Sequence, residues 1–266
     1  MADMNNENRA AHLTSSMAYQ LIPQGSVPMT IEELLEFKIS NPKSKKKNKS
    51  SGFNSAGLTY IKDKQIEMRM NTCIDGDFYS RASAWGIFME MFVYNGIGHG
   101  YEMCSTSTVL HPKYGNYWSG SVDLLILNTD IKVIGISEIK SYQKRNFALY
   151  SDCLRQKNID LLKKEFPKEY WQIISNACIH NVDIGEAIIY MPYKKDIPDI
   201  QEMASNYDGA DQWKYKFICD SDIDELPCIE NDGYYKDICK FRFEIPKEDK
   251  IFLTSRIIEA SKLLFA

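Results

Sequence analysis

The chain has 266 residues, 44% hydrophobic and 26% charged, with 32 basic against 36 acidic side chains and a formal net charge of -4. Those proportions exclude a disordered or fibrous protein and leave room for one large core or two small ones. Apolar runs are short, as in Leu124 to Leu127, far below the roughly 20 residues a spanning helix needs. The polar start has no apolar stretch behind a basic one, so a soluble, cytoplasmic protein is expected.

In chain order, residues 1–28 read as a weakly ordered lead-in to one domain over 29–266. Thr30 and Glu33 form a capping box that opens a short helix to about Ile39. Lys43, Lys45, Lys46, Lys47 and Lys49 follow in a Ser/Asn-rich stretch, and Asp220, Asp222, Asp224, Glu225, Glu230 and Asp232 cluster near the other end. The lysine run is either a solvated loop or a track for a phosphate backbone. Helices are expected over 55–71 and 82–97. The period then changes to two, and strands are expected over 101–110, 120–127 and 131–140, the last two joined by a tight Asn128-Thr129-Asp130 turn. Helices return over 154–165 and 168–181, then strands over 185–191 and 240–245, and Pro246 leads into a C-terminal helix. This order predicts an α/β domain with a mixed sheet.

Seven cysteines include no Cys-x-x-Cys pair, and they read as reduced structural thiols. A cluster on Cys104, Cys219, Cys228 and Cys239 would have loose gaps for iron and sulfur. His12, His99, His111 and His180 show no metal-ligand spacing.

Chemistry concentrates on the hairpin. Glu138 and Lys140 are two apart on a strand and therefore share a face, with Asp123 on the neighbouring strand. The same Glu-x-Lys pattern at Glu36 and Glu248 falls in helices, where such residues do not face each other. Asp123 leads an apolar strand, and a buried carboxylate must be paired or bind a cation. Asp123, Glu138 and the carbonyl of Ile139 offer hard oxygens suited to Mg²⁺, and Lys140 stands ready to hold or deprotonate a water. That set points to phosphodiester hydrolysis. Glu90 is the one charged residue over 82–97, on a helix read as buried nearly all round. It is either a satisfied core acid or a third ligand.

With Ser83-Ala84-Trp85-Gly86 leading to Glu90, then Asp123, then Glu138-Ile139-Lys140, the sequence resembles the PD-(D/E)XK nuclease superfamily. Within it, the likeness is to the phage lambda exonuclease and YqaJ-type recombinases. Tyr170-Trp171-Gln172, Ala187 to Pro192 and Arg242 to Pro246 resemble the later blocks. Where many relatives carry a Gln-x-x-x-Tyr pattern, this chain has Gln172 and Asn176.

The resemblance implies a restriction-endonuclease-like core, a mixed central sheet flanked by helices, and catalytic Glu90, Asp123, Glu138 and Lys140. Glu90, Asp123, Glu138 and Ile139 would ligate Mg²⁺, with Mn²⁺ substituting. Ser121, Gln172, Arg81, Lys45, Lys46 and Lys47 would meet DNA, with Arg69 and Arg81 as candidates for a terminal phosphate. The expected activity is 5'-to-3' digestion of linear double-stranded DNA in phage recombination, by a homo-oligomer, a trimer in relatives, that feeds a single-strand annealing protein. A restriction- or repair-type endonuclease, or a silent DNA-binding module, would carry the same fold.

Overall fold

A computed structural model describes residues 10–45, 48–74, 80–104 and 108–266. The chain opens with β1 (Leu13–Thr14), a 3-10 helix over Ser15–Leu21, β2 (Gln24–Pro28), α1 (Ile31–Ser40), β3 (Asn48–Phe53), α2 (Ser55–Met70) and α3 (Arg81–Ile97). The middle holds β4 (Tyr101–Met103), β5 (Val109–Leu110), β6 (Trp118–Gly120), β7 (Leu124–Leu127), β8 (Val133–Lys140), α4 (Lys144–Arg155), α5 (Ile159–Glu165) and α6 (Pro167–His180). The chain ends with β9 (Ile184–Tyr190), α7 (Ile197–Ser205), α8 (Lys216–Asp220), β10 (Ile238–Glu244) and α9 (Lys247–Leu264).

Five strands form the main sheet in the order β10-β9-β8-β7-β4. Only β8 and β9 run parallel within it, so the sheet is mixed as expected. Side chains alternate across it. On β9, Ala187 and Ile189 enter a core that also contains Tyr170, Ile173 and Ile174 of α6, whereas Ile188 and Tyr190 enter a second core with Trp85 and Phe88 of α3 and Ile200 of α7. Two apolar layers thus cover a sheet buried on both faces.

Local signals explain where the elements begin and turn. Asn54, Ser80 and Asn158 accept hydrogen bonds from Gly57, Ser83 and Leu161 amides and so cap α2, α3 and α5. The hairpin turn is held by Asn128, whose Oδ1 accepts from the amides of Asp130 and Lys132. Ile131 takes up the positive φ of 60° there, which shortens the strand expected from 131.

Several boundaries differ from the sequence reading. The strand expected over 101–110 is two short strands in different sheets, β4 in the main sheet and β5 paired with β6. The strand expected over 120–127 breaks at Ser121 to Asp123, where the Asp123 carboxylate takes the Ile139 amide in place of a ladder carbonyl. The helix expected over 154–165 is split by Lys157 at φ 49°. Helix α3 is buried on one side only, with Ile87 48% exposed. The lead-in needs the largest correction. From residue 10 onward it packs into the first core, where Leu13, Ala18 and Leu21 are fully buried, and Arg256 of α9 donates to the Leu21 carbonyl at 2.7 Å. The sparse apolar residues of this stretch follow 3-10 geometry and give no clear helix or strand period. Residues 1–9 lie outside the described residues. Among the described residues, no helix is long and apolar enough to cross a membrane.

Candidate active site

Glu138 and Lys140 sit on the last turn of the pleat in β8, opposite Ala187 and Ile189 of β9. They therefore face α6. Lys140 Nζ lies 3.3 Å from Glu138 Oε2 and 3.9 Å from Asp123 Oδ2, and Asp123 Oδ2 also accepts the Ile139 amide at 2.6 Å. From α6, Gln172 Nε2 donates to Glu138 Oε2 at 2.6 Å, while Asn176 Nδ2 donates to Glu138 Oε1 and, at 2.8 Å, to the Ser121 carbonyl. Glu90 arrives from α3 in the opposite layer, close enough that Asp123 and Glu138 repel its charge and Lys140 attracts it.

The electrostatics are those of acids crowded around a single ammonium. Burial first, then Asp123, pushes the Glu90 carboxyl up to about 9 and the Glu138 carboxyl up to about 8. Burial works against the charge on Lys140, but Asp123, Glu138 and Glu90 together outweigh it and hold the ammonium above the usual lysine range. With no cation bound, Lys140 is held protonated.

Among the described residues no three His, Cys, Asp or Glu side chains converge into a ready-made metal cage. The donor chemistry nevertheless fits a hard cation that keeps several of its own waters, because Asp123 and buried Glu138 flank one ammonium and half-buried Glu90 lies within the reach of their charge. The structure engages Ile139 through its amide; its carbonyl enters only as a proposed ligand.

A cavity of about 120 Å³ opens beside Asp123, lined by Thr14, Ser15, Ser16, Thr108, Ser119, Gly120, Ser121 and Gln172. Ser119 Oγ is buried there without a hydrogen-bond partner among the described residues. Ser121 Oγ meets Thr108 Oγ at 3.3 Å. A third of this wall, Thr14, Ser15 and Ser16, comes from the N-terminal segment read from the sequence as a lead-in.

The other sequence candidates are not brought to the carboxylates. Arg81 begins α3, exposed, with its guanidinium 5.8 Å from the Phe217 ring centre. Arg69 ends α2, exposed. Lys45 is exposed between α1 and β3, and Lys46 and Lys47 lie outside the described residues. Two cations went unnoticed in the sequence. Lys144 and Arg145 occupy the first turn of α4, a few residues beyond Lys140, exposed and without a capping side chain. Cations there oppose the helix dipole, and that local conflict was a readable signal of another use.

No family model matches this sequence, and no curated protein matches it. Solved structures do. The chain is similar to LHK-Exo in complex with dAMP, at a TM-score of 0.57 and 10% identity over 99% of this chain and 92% of that one. It is also similar to the alkaline exonuclease LHK-Exo from Laribacter hongkongensis, at a TM-score of 0.53 and 12% identity over 99% and 94%. At such identities the likeness establishes the fold.

Proposed function

We propose that this chain is a metal-dependent deoxyribonuclease that removes nucleotides from the ends of linear duplex DNA. The observation that carries the reading is the contact of Asp123 and Glu138 with Lys140, within the electrostatic reach of Glu90, at the hairpin of a fold shared with an alkaline exonuclease. Asp123 and Glu138, with Glu90 and the Ile139 carbonyl, would hold Mg²⁺ or Mn²⁺, which supplies an acidified water and Lewis acidity toward a phosphoryl oxygen. Lys140, held protonated, donates to the attacking water or to a non-bridging phosphate oxygen and offsets charge as it develops. Gln172 keeps Glu138 Oε2 turned toward Lys140. The hydroxyl-lined cavity beside Asp123 offers neutral donors to phosphate oxygens. The dAMP named with one structural neighbour is the class of product that end-wise cleavage releases. Lys144 and Arg145 are placed to meet the phosphate backbone.

Strand polarity from 5' to 3', a role in phage recombination, a trimeric ring and a single-strand annealing partner belong to the same proposal and rest on the family resemblance. An endonuclease with this site is the second reading. Purified protein with Mg²⁺, given end-labelled linear duplex bearing a 5' phosphate or hydroxyl and a covalently closed circle, separates the two. Loss of terminal label from linear DNA with the circle untouched is expected. Nicking of the circle would select the endonuclease, and full activity in chelator would remove the metal.

A further inference from the structure

Asn176 takes no part in the chemistry above, yet it is fully buried where the two hairpin arms meet the N-terminal segment. Glu138 Oε2 is served by Gln172 and Lys140, whereas the described donor to Oε1 is Asn176 alone. The same Nδ2 holds the carbonyl of Ser121, two residues before Asp123. One amide therefore spans the strands that bear the two acids. The backbone makes room for it, since a Cβ at Gly120 would fall 2.2 Å from Asn176 Oδ1 and 2.1 Å from Ser15 Oγ. Glycine is required there by packing rather than by its dihedral angles. Asn176 Oδ1 has no partner among the described residues, and an unsatisfied buried acceptor is destabilising. Its Nδ2, by contrast, serves two buried acceptors, and an apolar side chain would leave Glu138 Oε1 and the Ser121 carbonyl without that donor.

We infer that Asn176 is a positioning residue for Glu138. It pins Oε1, which fixes the carboxylate rotamer and leaves Oε2 as the oxygen presented toward Asp123, and it ties that carboxylate to the Asp123 arm. Outer partners of this kind keep ligating carboxylates aimed, and their loss typically costs about 10- to 100-fold in metal affinity. The inference rests on the nuclease reading, so its test is run on ion uptake as well as turnover.

Mn²⁺ binding to the DNA-free protein, followed by electron paramagnetic resonance, is compared for wild type, Asn176→Leu and Asn176→Ala, with metal-free Tm, kcat and KM for linear duplex measured alongside. Leucine keeps the branched outline and removes the donor. Mn²⁺ affinity should fall at least about 10-fold and kcat with it, while KM for DNA should hold. Unchanged Mn²⁺ affinity in both variants, with only a lowered Tm, would overturn the inference and leave Asn176 as packing. If wild type takes up no Mn²⁺ that Glu138→Gln abolishes, the metal reading and this inference fall together.

Discussion

Glu90 and Glu138 are acids that the folded chain keeps protonated when no cation is bound, and that has a measurable consequence. Their carboxyls stand at about 9 and about 8, against 4.5 for a free glutamate. Below pH 4.5 both are neutral in the folded and unfolded chain alike, and their contribution to stability is complete. Above it the unfolded chain ionises first, so the folded state loses stability as pH rises toward 8 and 9. In chelator, Tm should therefore decline across that window. Glu90→Gln should flatten the decline and raise Tm at pH 8, while abolishing turnover. A Glu90→Gln protein with normal cleavage and a lowered Tm would make Glu90 a structural acid. Lys140→Ala should cost turnover by about 10²–10³, the range for removing one preorganised charge, with the circular dichroism spectrum intact. The acids and Lys140 were legible because a strand of period two puts Glu138 and Lys140 on one face. Asn176 was visible only as a departure from a pattern, because its role depends on which carbonyl and which carboxylate oxygen α6 brings it against.

Elements were legible where the apolar period is long and hidden where a polar group replaces a backbone partner. The α/β order and the mixed sheet followed from the alternation in β8 and β9. The break before β7 did not, since the Asp123 carboxylate replaces a ladder acceptor and leaves no mark in hydropathy. The N-terminal segment was misread for a related reason. It is held by Arg256 and by the Ser15–Ser175 hydroxyl contact at 2.8 Å, both long-range in sequence. Leu13→Ala should accordingly destabilise the protein by about 2–5 kcal/mol in a urea titration, as for other fully buried leucines. A mobile lead-in would show no change. Helix α3 carries an opposite signature at Gly86, one turn before Glu90 on the same face. A Cβ there meets nothing within 4 Å. Gly86→Ala should therefore stabilise α3 by up to about 1 kcal/mol, and any accompanying loss of DNA affinity would mean that DNA uses the open space beside Glu90.

At the scale of the whole molecule, the net charge of -4 conceals an uneven distribution that a DNA substrate would feel directly. The acidic residues from Asp220 to Asp232 lie in the stretch between α7 and β10, whereas Lys43 and Lys45 are exposed between α1 and β3, and β2 and β3 pair in a two-stranded ribbon apart from the main sheet. If the lysine stretch tracks phosphates, each contact releases counterions and adds about 0.9 to the slope of log affinity against log salt. Replacing Lys43, Lys45, Lys46, Lys47 and Lys49 with serine should then weaken duplex binding most at low salt and flatten that slope. The rate at saturating DNA should hardly change, because Lys43 and Lys45 are exposed and make no described contact with the carboxylate cluster. Lys144→Gln with Arg145→Gln should behave differently, lowering affinity and also saturated turnover, if α4, which begins a few residues beyond Lys140, guides the backbone into the site as proposed. Binding isotherms on one duplex at four salt concentrations, for both variants and wild type, decide between the roles. A five-lysine variant with an unaltered slope would make the stretch a solvated tether, and would leave the first turn of α4 as the principal electrostatic contact with DNA.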